Sequence, residues 1–87
     1  MSQVIEINIE NNKYQIEWAI SEHFDELKGK KYELNKMAAD QIENINNLSN
    51  TAKILLSAVA GAVIQHLLDN NCQINSIFKN GYFIIKN

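Results

Sequence analysis

Two histidines and one cysteine are the side chains of this 87-residue chain best suited to proton transfer or nucleophilic attack near neutral pH. His23 lies among Glu22, Asp25 and Glu26, and Glu26, three residues on, shares its helical face. That spacing suits a carboxylate-oriented imidazole or half of a metal site. No second histidine or acidic cluster stands at ligand spacing, so a solvated acidic first helical turn is the preferred reading. His66 and Cys72 straddle an expected helix end. A cysteine nucleophile needs its histidine within hydrogen-bond reach and a third group to orient it. Nothing in the pattern supplies that geometry, and the expectation is a structural thiol beside a core-edge histidine bonded to a backbone carbonyl. One cysteine and two scattered histidines do not make a four-ligand zinc set. The chain has no GxGxxG, GxxxxGK[ST], CxxC or HExxH. No enzyme activity, metal or cofactor is expected on these grounds.

Charge narrows the choice of partners. The net charge is −2, and all eight cations are lysine, with no arginine. Arginine supplies the bidentate contacts to phosphates and base edges, so direct nucleic-acid binding is not expected. Tyr14, Trp18, Tyr32, Phe78, Tyr82 and Phe83 could stack bases if exposed on a sheet, but without a basic surface they read as core and interface residues. Asparagine and isoleucine occur thirteen times each. With the lysines they favour A/T-rich codons, which points to a low-GC bacterium or its phage. A single cysteine permits no intrachain disulfide, and MSQVIEINIE lacks the basic-then-apolar pattern of a signal peptide. The expected compartment is the cytoplasm.

These residues need a scaffold, which the chain writes in alternating and helical periods. Ile5, Ile7 and Ile9 alternate with polar residues, as do Tyr14, Ile16, Trp18 and Ile20. A two-residue turn at Asn11-Asn12 predicts a hairpin pairing Ile9 with Tyr14, Ile7 with Ile16 and Ile5 with Trp18. Ser21 as N-cap, acidic residues after it and Gly29 as a stop predict a short helix over 22–28. Lys30 to Leu34 reads as strand, loop or helix lead-in. From Asn35 to Asn47, Leu34, Met37, Ala38, Ile42 and Ile45 line one side of an amphipathic helix. After Asn46 and Asn47, Ser49 or Asn50 caps an apolar helix from about Thr51 to Asp69; a single kinked helix over the whole region is the alternative. Asn80-Gly81, between two β-rich runs, predicts a second hairpin pairing Lys79 with Tyr82, Phe78 with Phe83 and Ile77 with Ile84. Both faces of that hairpin carry apolar residues, so a second cover is expected. The fold class is α+β in one domain. Two hairpins form one antiparallel sheet, in the order β-β-α-α-β-β, against two main helices.

Ile54 to Leu68 contains no charged residue. Fifteen residues reach about 22 Å, short of a hydrocarbon core of about 30 Å, so a core helix and no membrane association is expected. Leu55, Leu56, Val59, Val63 and Leu67 fall within an arc of about 120°, a ridge for a sheet. Opposite lie Ser57, Ala58, Gly61, Ala62 and Gln65, with Ile54, Ile64 and Leu68 among them. Small residues four apart admit a second backbone, either the 35–47 helix or a copy of this helix in a homodimer. Function by elimination is then binding. The chain reads as an inhibitor or regulator of a larger protein, with Glu22, Asp25, Glu26, Asp40, Glu43, Asn44, Asn46 and Asn47 as the working surface. The alternative is a homo-oligomer holding a small ligand near Ser57, Gly61 and Gln65.

Overall fold

The structure, a computed structural model, describes residues 3–20 and 23–87. The expected cap Ser21 and the partner-surface residue Glu22 lie outside these. Period-two alternation in the first twenty residues produces β1 (Gln3–Ile9) and β2 (Asn12–Trp18). Next come α1 (Phe24–Leu27), β3 (Lys31–Glu33), a 3-10 turn (Leu34–Lys36) and α2 (Ala39–Glu43). The chain ends with α3 (Asn50–Asp69), α4 (Ile74–Asn80) and β4 (Tyr82–Lys86). One antiparallel sheet has the order β2-β1-β4-β3, and the fold class is α+β.

The first hairpin forms with its register moved by two residues. Ile9 pairs with Asn12, Ile7 with Tyr14 and Ile5 with Ile16, so the turn is Glu10-Asn11. Glu10 takes φ 56°, the positive value that a two-residue hairpin turn requires at its first position. A slip of two keeps every side chain on its intended face. It also removes a like-charge opposition: Glu6 faces Gln15 instead of Glu17.

The second hairpin is absent. Residues 74–80 are helical, and Ile74, Ile77 and Phe78 stand at the spacing of one helical face, with Ile77 fully buried. β4 finds its neighbours far back in sequence, in β1 and β3. The Lys30–Leu34 question resolves as strand β3 followed by the 3-10 turn. Gly81 joins α4 to β4 with φ −69°, an ordinary extended conformation. Glycine is needed there for space. A Cβ would land on the Ile77 carbonyl oxygen, 2.7 Å from Ile9 Cδ1 and 3.1 Å from Leu34 Cδ1. The outer face of β4, expected to need an apolar cover, is screened by charged side chains. Lys86 pairs with Glu6 across Ile84, and Lys31 lies 4.4 Å above the Tyr82 ring.

The predicted 35–47 helix is shorter than its pattern. Ala38 adopts an extended ψ of 149°, which separates the 3-10 turn from α2. Leu34 and Ile42 still bury their side chains, and Met37 and Ile45 are half-buried, so the apolar face survives the break. The single kinked helix is excluded because α2 ends at Glu43 and α3 starts at Asn50. Ser49 caps α3, its hydroxyl accepting from the Ala52 N–H at 3.2 Å. Asn71 ends α3 at φ 64°, while the Cys72 N–H returns to the Leu67 carbonyl.

The core is the contact of α3 with the inner sheet face. Ala52, Leu56, Val59, Ala60, Val63 and Leu67 are buried against a cluster that includes Ile5, Ile7, Phe83 and Ile85. Tyr32 closes one flank, stacked 5.3 Å from Phe83 and donating its hydroxyl to the Leu27 carbonyl at 2.7 Å. Burial pushes its pKa up to about 12. Gly81→Ala forces backbone and core to move at once, and its expected cost is about 2 kcal/mol or more. A lower urea midpoint with unchanged m-value checks this; a midpoint equal to wild type would show that the junction has slack.

Candidate functional site

The histidine expected beside Glu26 is there, and its surroundings show what it does. Nδ1 of His23 lies 3.2 Å from Oε1 of Glu26 and 3.5 Å from the Ser49 hydroxyl. Glu26 Oε2 accepts from both the Ser49 N–H and the Ser49 hydroxyl, each at 3.0 Å. Serine, histidine and carboxylate thus meet, but the serine proton goes to the carboxylate. In a nucleophilic triad it would go to the imidazole, with the carboxylate on the far ring nitrogen. The cluster instead locks α1 onto the capped start of α3. Hydrogen bonds from the Ser49 backbone, His23 and the Ser49 hydroxyl hold the Glu26 carboxyl below its ordinary value.

His66 and Cys72 are joined through Tyr14. The thiol donates to the Tyr14 hydroxyl at 3.2 Å, and the Tyr14 ring meets His66 edge-on at 6.4 Å. The neighbouring thiol, with some desolvation, raises the Tyr14 pKa. Among the described residues no group of three His, Cys, Asp or Glu is placed to hold a metal ion.

The expected partner surface divides. Glu26 is engaged as above, and Asp25 pairs with Lys28 at 3.3 Å. Asp40 and Glu43 are exposed on α2, and Asn44, Asn46 and Asn47 are exposed just beyond it. Of these, Asn44 lines a groove of about 540 Å³ between α2 and the free edge of β3. Lys30, Lys31 and Lys36 stand along it, with Tyr32, Met37 and Ile45 as apolar floor and Gln41 beside Asn44. Lys36 is paired with Glu33 at 2.9 Å, whereas Lys30 has no ion pair among the described residues. The groove is not visible in the sequence, because Lys30–Leu34 reads equally as strand, loop or helix lead-in and its lysines then share no common edge.

Among the described residues, nothing covers the face of α3 turned away from the sheet. Ile54 is 72% exposed, Ser57, Ala58, Gly61 and Gln65 are exposed, and a Cβ on Gly61 would meet nothing within 4 Å. The close internal partner offered by the 35–47 helix is therefore ruled out at Gly61. Helical spacing splits the small residues between two flanks. Leu55, Ala58 and Ala62 look past β2, on the side where His66 meets Tyr14. Ser57 and Gly61 look toward α2, on the side where Lys53 donates to the Glu43 carbonyl at 2.8 Å. At its N-terminal end this face forms an open pocket of about 350 Å³ with Ala19, Ile20, His23, Thr51, Ile54, Leu55 and Ala58. With 20 residues and a mean hydropathy of 1.5 over its apolar window, α3 is long and apolar enough to cross a membrane. The whole helix is therefore longer than the fifteen-residue apolar run that falls short of a hydrocarbon core. The reason to read it as a core helix is its buried stripe.

Glu26 gives the site a pH signature. Its folded pKa is depressed, so its stabilising contribution is present above the unfolded value and fades as pH falls through the folded one. Glu6, beside Lys86, and Glu33, beside Lys36, are shifted in the same direction. Wild type should lose stability as pH falls below about 4.5, the ordinary glutamate value. Glu26→Gln should be less stable at pH 7, with the gap narrowing as pH falls below about 4.5. Urea midpoints across that range check this, and a gap that does not narrow on acidification would mean the carboxylate charge is not what matters. No protein-family model matches the chain, and no curated protein or solved structure matches it.

Proposed function

We propose that the protein works by binding a protein partner, as an inhibitor or regulator of a larger bacterial protein, encoded by the bacterium or a phage and acting in the cytoplasm. The observation that carries the reading is the groove at the β3 edge. Its volume, about 540 Å³, lies in the range of built binding sites. One wall is a strand edge whose outward N–H and C=O groups can add an extended segment of another chain. The floor of Met37 and Ile45 takes an apolar side chain, and Lys30 offers a cation to a carboxylate two residues away on the incoming strand. Gln41 and Asn44 supply the polar rim.

Selection of binding peptides from a random displayed library tests this. The expected winners are extended, carry an apolar residue and an Asp or Glu at alternate positions, and perturb amide resonances of Lys30–Glu33, Met37 and Asn44. Met37→Glu or Lys30→Glu should weaken them at least about tenfold while leaving the circular dichroism spectrum unchanged. Peptides that perturb another surface, or ignore both substitutions, would overturn the assignment of the groove. The open pocket beside Ala19, Leu55 and Ala58 favours a second reading, a small apolar ligand held on α3. A ligand retained in native mass spectra of protein purified from its own host would support it.

A further inference from the structure

Edge strand β2 carries a pattern that fits its own copy. The tight turn at Glu10-Asn11 makes Ile9 and Asn12 a hydrogen-bonded pair, and the ladder alternates from there. Asn12, Tyr14, Ile16 and Trp18 direct their backbone groups to β1. Lys13, Gln15 and Glu17 direct theirs to the free edge. A seven-residue edge with three outward donors and three outward acceptors is a long free edge, and Lys13 and Glu17 are its only charged side chains.

We propose that two copies join through β2, antiparallel, about a two-fold axis at Gln15, to make one continuous eight-stranded sheet. Only a register centred on a residue keeps like faces together. Centred on Gln15, all seven residues pair, and the three with outward backbone groups bond to one another. Lys13 then stands opposite Glu17 of the second copy, and Glu17 opposite its Lys13. Neither has an ion pair within its own chain among the described residues. Centring on Tyr14 or on Ile16 leaves both charges opposite neutral residues. On the inner face Tyr14 meets Ile16 of the second copy, and Tyr14, Ile16 and Trp18 are all half-buried.

The helix layer agrees with this choice of occupant. The α3 flank that looks past β2 presents Leu55, Ala58 and Ala62, with no charge between Ile54 and Leu68. A neutral flank can meet its symmetry mate without opposing like charges, and alanines four apart let the two helices approach. This edge is opposite β3 in the sheet, so the proposal stands or falls separately from the partner groove.

Sedimentation equilibrium from about 1 µM to 1 mM, with circular dichroism on each variant, is the test. Wild type should approach twice the 9.9 kDa chain mass. Lys13→Glu and Glu17→Lys should each weaken association about tenfold by setting like charges opposite, and the double exchange should restore it. Gln15→Pro removes an outward N–H and one side-chain hydrogen bond to Glu6 while leaving the β1–β2 ladder intact, so it should give a folded monomer. If that variant does not fold, the charge series decides. A wild-type monomer throughout the range would overturn the proposal. So would a dimer indifferent to both single reversals, or one that the double exchange fails to restore.

Discussion

One long apolar helix has to be covered by a sheet of four strands, and that requirement organises the molecule. α3 presents Leu56, Val59, Val63 and Leu67 to the inner sheet face, where they are fully buried with Ile5, Ile7, Phe83 and Ile85. The other elements hold the ends and flanks of that contact. Glu26 fastens α1 to the capped start of α3, Tyr14 and Cys72 meet at its far end, and Lys53 ties it to α2. A sheet covers one side of a helix, and α2 reaches only part of another. The remaining surface, with Ile54 and Leu68 exposed on it, is left open by the described residues.

Legibility in the sequence followed how local each signal was. The β1–β2 hairpin was readable because alternation survives a slip of two, but the register was not. Both Glu10-Asn11 and Asn11-Asn12 turns keep the same side chains on the same faces, so alternation alone does not choose between them. The limits of α3 were readable because Ser49, Asn70 and Asn71 act on their own neighbours. The sequence predicts a hairpin where α4 lies because Asn80-Gly81 imitates a hairpin turn. The true role of Gly81 is to let the strand pass against Ile9 and Leu34, residues distant in sequence. The α2 region reads as one longer helix: its apolar spacing is helical throughout, yet Ala38 is extended and the face is assembled from two short pieces.

The candidate sites show the same division. His23 and Glu26 were visible at once from their spacing, whereas Ser49, 23 residues from Glu26, gives the pair its structural meaning. Most of the acidic and asparagine-rich surface is solvated or spent on local contacts. The groove beside β3 needs a strand, a turn and a helix in place before Lys30, Met37 and Asn44 become neighbours. No single stretch of sequence contains it.

Sheet order sets how the two proposed surfaces relate. β2 and β3 are the outer strands, separated by β1 and β4. Pairing through β2 would consume one edge and leave the other free in both copies, so a dimer would carry two partner grooves at opposite ends of a continuous sheet. A dimeric partner, or one with two exposed strands at matching separation, would then bind the second groove as an intramolecular event, at an effective concentration set by that separation. Modest affinity in each groove would suffice. That removes the main physical objection to so small a binding protein, whose three-residue edge β3 offers few backbone hydrogen bonds by itself.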